Sequence, residues 1–138
     1  MFNNERQVQI EWGDCDPAGI VFYPRYFALF DASTAALFAA MGYSVTRIRE
    51  ELNDVGFPMV DTRAQFFQAS TFGDEVVIKS DVMAVGRSSF EIRHQLFKGA
   101  DTLAVECVEK RVWTSLDASG SIKAKPIPDD VRQRMLMD

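Results

Sequence analysis

Residues 8–12 alternate polar and apolar side chains, the period of a half-buried strand, and the alternation breaks at Gly13. Residues 14–19 carry Asp, Pro and Gly, which suit a loop with unusual backbone angles. Pro24 then fits the first turn of a helix, where its missing N–H is no loss, and Gly42 is a natural terminator. Between them the pattern predicts a helix over 24–41 that is apolar nearly all round: Phe27, Leu29, Phe30, Ala32, Ala35, Leu37, Phe38 and Ala40. Such a helix is expected to be buried on most sides. A short amphipathic helix is predicted over 45–52 and a loop over 53–58.

Alternation returns over 59–70, 75–85, 89–97 and 102–116, with Gly73-Asp74, Gly86-Arg87 and Gly99-Ala100-Asp101 as hairpin punctuation. Phe90, Ile92 and Leu96 share one strand face, and Glu91, Arg93 and Gln95 the other. Residues 128–137 have a weak helical pattern. Strand, long helix, then consecutive antiparallel strands make an α+β chain with the sheet wrapped on the helix. One helix cannot cover both faces of a five-stranded sheet, so a second copy of the chain is expected against it, in at least a homodimer.

Composition narrows the chemistry. A hydrophobic fraction of 47% with 25% charged residues is that of a folded domain, and no repeat or linker divides the chain, so 1–138 is read as one domain. The net charge of −5 argues against a nucleic-acid partner. One histidine and two cysteines, Cys15 and Cys107, leave almost no material for a metal site, a histidine triad or a disulfide framework. Residues 1–6 are polar, without the apolar run of a signal peptide. The richest apolar stretch, 26–41, is interrupted by Asp31, Ser33 and Thr34, so no membrane span is expected and cytoplasm is the default location.

The run Ile10-Glu11-Trp12-Gly13-Asp14-Cys15-Asp16-Pro17-Ala18-Gly19-Ile20-Val21-Phe22-Tyr23-Pro24-Arg25-Tyr26 closely resembles the signature of the 4-hydroxybenzoyl-CoA thioesterase family. The resemblance extends, in segments generic to the fold, through Gly56-Phe57-Pro58-Met59-Val60, Gly73-Asp74 and Gly86-Arg87-Ser88-Ser89-Phe90. It implies the hotdog fold, a long central helix wrapped by a five-stranded antiparallel sheet. It also implies a hydrolase of an acyl-CoA, working as a dimer or tetramer without metal or cofactor, coenzyme A being part of the substrate. Carried over by position, Asp16 matches the catalytic carboxylate, Tyr23 the residue whose backbone N–H polarises the thioester carbonyl, and Gly19 the substrate-binding loop. The Gly86-Arg87-Ser88 turn matches a region that helps bind the nucleotide of CoA, though some members carry more basic residues there.

The residues themselves suit that chemistry. Thioester hydrolysis needs an attacking oxygen and oxyanion stabilisation, while the thiolate departs without a strong acid. A helix start supplies free N–H groups at the positive end of its dipole. Pro24 has no N–H, and Tyr23 lacks the short side chain of a good N-cap, so the Tyr23 N–H is expected to be free for a ligand. Asp16 could attack the carbonyl and form a mixed anhydride, or deprotonate a water. It could also merely close an Asx turn before Pro17.

Other candidates carry bland explanations beside the functional ones. Asp14 suits a turn-stabilising hydrogen bond, and Cys15 a small packed residue without a basic neighbour. Asp31, expected to be a buried carboxylate, could contact substrate by shaping the acyl pocket or ordering water, or could bond across a subunit interface. His94 suits a satisfied core or interface residue; as a catalyst it would point to a dehydratase instead. Ser88 and Ser89 suit turn chemistry, with Ser88 also a substrate-binding candidate. Arg87 has positional support for CoA phosphates, and Arg63, Arg111, Lys123 and Lys125 are scattered alternatives. Phe22, Phe27, Phe30 and Phe57 could line an acyl pocket or simply fill the core.

An aromatic acyl group such as hydroxybenzoyl is favoured, because short-acyl relatives typically have His where this chain has Pro24. The alternatives are a short-chain aliphatic acyl-CoA thioesterase and a non-catalytic acyl-CoA-binding hotdog module.

Overall fold

The computed structural model describes all residues, 1–138. The first strand is β1 (Asn3–Gln9), five residues earlier than the alternation at 8–12 implies. It is polar because it is an edge: its ladder to β3 (Glu75–Val85) runs from Asn3↔Asp81 to Gln9↔Glu75 whatever the side chains are. Ile10, beyond the strand, is fully buried, and Trp12–Asp14 forms a single 3-10 turn. Arg6, facing inward from β1, is satisfied by Ser33 Oγ and the Leu29 carbonyl, both at 2.8 Å.

Helix α1 (Tyr23–Ala40) has Pro24 in its first turn and ends before Gly42, whose φ of 95° stops it. It buries Tyr26, Phe30, Ser33, Thr34, Leu37 and Phe38, spaced as one face. The opposite face, with Ala28, Asp31, Ala32 and Ala39, is exposed in the protomer. The expectation of burial on most sides is thus corrected: apart from Asp31 the uncovered side is largely alanine, so hydropathy alone could not separate the faces. Ser44 caps the short α2 (Val45–Glu50) through the Arg47 N–H.

The remaining strands are β2 (Met59–Phe66), β4 (Ser89–Lys98) and β5 (Thr102–Val112). The antiparallel order β1-β3-β4-β5-β2 wraps α1 in the hotdog arrangement that the signature implies. Strand β2 stops short of residue 70 because Phe67 and Gln68 both donate to the Ala104 carbonyl, which ends the regular ladder. The alternation over 102–116 is broken at Trp113, whose N–H turns to the Ser88 carbonyl. Beyond it β6 (Thr114–Leu116) pairs with β7 (Ile122–Ala124), a hairpin that periodicity does not announce in segments of three residues. Helix α3 (Asp129–Leu136) follows Pro128.

The core has two apolar clusters. One gathers Phe38, Phe90 and Trp113 with Val131 and Met135 of α3; the other gathers Ile10, Tyr26, Phe30, Ile78, Leu96 and Val105. Between them lies a buried polar band. Thr34 donates to Glu109 Oε2 (2.8 Å) and sits 2.9 Å from His94 Nε2, which is 3.0 Å from Glu109 Oε1. Since the Thr34 proton is given to Glu109, the network assigns the Nε2 proton to His94. Ser80 Oγ meets His94 Nδ1 at 2.7 Å, and Phe30 stacks on the imidazole. His94 is fully buried and satisfied, as a core histidine should be.

Candidate active site at the start of the central helix

Residues 11–22 fold into a compact double turn. The Glu11 N–H donates to Asp14 Oδ2 (2.9 Å), the turn-stabilising bond expected of Asp14, and the Phe22 N–H donates to the Asp14 carbonyl (2.8 Å). Within it, the Asp16 N–H donates to the Ile20 carbonyl (3.0 Å) and the Gly19 N–H to the Asp16 carbonyl (2.9 Å). That tight return needs the φ of 84° at Gly19, a conformation that disfavours any side chain. The Arg25 guanidinium reaches back to the Gly13 carbonyl (3.1 Å) and ties the double turn to α1.

Asp16 does close an Asx turn: its Oδ1 accepts from the Ala18 N–H at 2.8 Å. The turn uses one carboxylate oxygen and leaves Oδ2 without a partner in the chain, so the structural role and a chemical one are compatible. Cys15 is half-buried, its thiol 3.7 Å from the Glu11 carbonyl, which fits a packed residue.

At the start of α1, the Arg25 N–H bonds to the Phe22 carbonyl, Pro24 has no N–H, and the Phe22 side chain caps nothing. The Tyr23 N–H therefore makes no hydrogen bond within the chain. No acidic residue lies in the first helical turn to offset the positive end of the dipole. Beside Tyr23 opens a cleft of about 240 Å³ lined by Ile20, Val21, Tyr23, Tyr26, Phe66, Phe67, Gln68 and Ala69. The Val21 N–H bonded to the Ser70 carbonyl and the Ile20–Thr71 bridge hold its two walls together. Asp16 is not a lining residue, but it shares the 16–20 turn with Ile20, which is.

The other predicted site residues lie elsewhere in the protomer. Asp31 is exposed rather than buried, and its carboxylate pairs with Arg111 Nη2 at 2.9 Å. Arg111 is not free for a phosphate: it is 4% exposed, bonded to Glu109 Oε2 (2.6 Å), Asp31 and the Phe57 carbonyl. Lys125 is taken by Asp54. The Gly86-Arg87-Ser88 turn packs on the approach to α3, the Arg87 carbonyl accepting from Ile127 N–H and the Arg132 guanidinium reaching the Gly86 carbonyl. Phe22, Phe27, Phe30 and Phe57 are not cleft residues; Phe57 stacks on Phe38 in the core. Nowhere do three or more His, Cys, Asp or Glu side chains converge in a way that could hold a metal ion.

Sequence reasoning missed the 66–69 wall, because it read that stretch as the end of a strand. Paired aromatics at 66 and 67, where alternation fails, were the available signal. It missed Glu109 too, an acid in an alternating strand, two of whose partners, His94 and Thr34, are 15 and 75 positions away.

A family model described as thioesterase-like superfamily matches residues 10–135. The 4-hydroxybenzoyl-CoA thioesterase of Pseudomonas sp. (strain CBS-3) is 33% identical over 129 residues, covering 90% of this chain and 91% of that protein. The solved structure of 4-hydroxybenzoyl-CoA thioesterase from the same strain superposes with a TM-score of 0.88 at 31% identity, over 97% of this chain and 99% of the other. A gentisyl-coenzyme A thioesterase structure gives a TM-score of 0.83 at 29% identity, over 96% and 98%.

Proposed function

The chain belongs to the thioesterase-like superfamily, within the 4-hydroxybenzoyl-CoA thioesterase family, and on that premise we propose that it hydrolyses an aromatic acyl-CoA using Asp16 and the start of α1. The observation that carries this is the unbonded Tyr23 N–H on the lip of an apolar cleft, with Asp16 keeping Oδ2 free in the adjoining turn. The thioester carbonyl oxygen accepts from the Tyr23 N–H, which strengthens as negative charge develops. Asp16 supplies the attack, by adding to the carbonyl carbon itself or by taking the proton of an adding water. The C–S bond then breaks and CoA leaves as its thiolate. In the first route water cleaves the mixed anhydride, releasing the acid and restoring the carboxylate.

An aromatic acyl group suits a cleft walled by Tyr26, Phe66 and Phe67, and the relatives named above act on 4-hydroxybenzoyl-CoA and gentisyl-CoA. No helix of the chain is long and apolar enough to cross a membrane, and the proposed setting is the cytoplasm. Asp31, Arg87 and Ser88 lie away from Tyr23 in one protomer, so their proposed contacts with substrate require a second copy. Gly19 acts in the same proposal by holding the 16–20 turn.

Turnover of 4-hydroxybenzoyl-, benzoyl- and acetyl-CoA by wild type and Asp16→Asn tests the assignment. The amide keeps the acceptor for the Ala18 N–H, so the variant should fold and lose kcat by ~10² or more. Unchanged turnover in the variant would remove Asp16 from the mechanism. Preference for acetyl-CoA would favour the aliphatic alternative, and binding of all three without turnover would favour a non-catalytic module.

A further inference from the structure

Asp16 and the Tyr23 N–H serve one reaction only if the turn carrying the first keeps its place against the helix carrying the second. Within residues 11–20 most side-chain hydrogen bonds are local: Glu11 N–H to Asp14, Cys15 to the Glu11 carbonyl, and Ala18 N–H to Asp16. Backbone bonds close the turn on itself and on Phe22. Hydrogen bonds from α1 itself reach it through Arg25 alone. Its Nε (3.3 Å) and Nη2 (3.1 Å) both donate to the Gly13 carbonyl oxygen. Asp14 Oδ1 lies 3.8 Å from the same Nε and offsets the charge.

Helix formation does not account for a cation at this position. A basic side chain in the first turn opposes the macrodipole, and an acidic one would be favoured there. The first turn of α1 has no acidic residue, and its basic one turns back toward the preceding loop. Arg25 is also fixed at its backbone, whose N–H donates to the Phe22 carbonyl at 2.8 Å. One residue thus spans from beside Tyr23 to the carbonyl three positions before Asp16.

We propose that Arg25 is a positioning residue for thioester hydrolysis: by gripping the Gly13 carbonyl it holds Asp16 in register with the Tyr23 N–H. This rests on the thioesterase assignment and goes beyond it, since Arg25 acts through Asp16. Register of this kind governs rate more than binding, and a misplacement of ~1 Å can cost on the order of 10²-fold.

The test is kcat and KM for 4-hydroxybenzoyl-CoA with Arg25→Met, which keeps the aliphatic stem, and Arg25→Lys, which keeps the charge without the planar fork. Arg25→Met should lower kcat about tenfold or more while KM moves less than about twofold, and Arg25→Lys should recover little of that loss. In an Asp16→Asn background, Arg25→Met should change the remaining rate less than about twofold, because nothing is left for it to place. An undiminished loss in that background, or full activity of Arg25→Lys, would assign the effect to charge on the oxyanion and overturn the proposal. Trp12 offers a reading that needs no turnover. It lies beside Gly13 and is 76% exposed, whereas Trp113 is fully buried, so acrylamide-quenchable emission comes from Trp12. The anisotropy of that emission should fall in Arg25→Met; an unchanged value means that Arg25 does not hold the turn, and contradicts the proposal while leaving the assignment intact. Absence of wild-type turnover on every thioester would sink the assignment and the proposal together.

Discussion

Glu109 is a carboxylate 1% exposed in the middle of the core, held by Thr34, His94 and the Arg111 guanidinium. Burial pushes its carboxyl up, but the hydrogen bonds with His94 and Arg111 and their charges outweigh it, leaving it below the usual 4.5. A carboxyl lowered by folding binds fewer protons in the folded state. Its stabilisation is complete above the unfolded value and is lost as pH falls through the folded one. Thermal melts from about pH 7 down to about pH 3 should thus fall more steeply for wild type than for Glu109→Gln. At neutral pH the variant should be less stable by about 3 kcal/mol, since the buried Arg111 then keeps Asp31 as its one carboxylate partner. Parallel pH profiles would contradict this. Cys107 shows the opposite balance: burial dominates and pushes its thiol up to about 11, so it is an inert core residue. At this scale Asp14, Asp16 and the Tyr23 N–H were legible from near neighbours, whereas the engagement of Arg111 was not.

Among elements, those whose apolar run or alternation is bounded by Pro or Gly are legible in the sequence. Helix α1 and strands β3 and β4 begin or end within a residue or so of the pattern. The misread elements are the ones whose pairing overrides their composition. β1 is polar yet fully laddered to β3, and the β6–β7 hairpin is too short for a period. That hairpin is anchored to residues 53–58 by Asp54, which accepts from Trp113 Nε1 (2.7 Å) and Lys125 Nζ (2.7 Å), and by the Thr114 N–H bonded to the Gly56 carbonyl. Asp54→Ala leaves the buried indole N–H unpaired and should cost about 2–4 kcal/mol in urea unfolding. A change below about 0.5 kcal/mol, the ordinary range of a surface substitution, would show that the loop is held by packing alone.

At the scale of the whole molecule, one protomer leaves much apolar surface uncovered. Strand β2 is exposed along nearly all its length with its outer edge unpaired, and Trp12, Phe22, Phe67 and Phe72 are also exposed. Such surfaces are normally covered. Sedimentation should show at least a dimer, and Val60→Lys on the β2 edge should shift it toward monomer and reduce turnover; a monomeric wild type would contradict both expectations. Local pattern suffices for the α+β class, the family, the 13–19 turn and the open helix start, because each depends on periodicity or on residues a few positions apart. Tertiary structure alone decided which residues face that helix start. The 66–69 wall, the depth of Tyr26, the bonds of Glu109 to Thr34 and His94 and the pairing of Arg111 with Asp31 come from contacts between residues far apart in sequence, which leave no mark on local pattern. Asp16 was visible as a motif; that its Asx turn consumes only one oxygen could be seen only once the chain had closed around it.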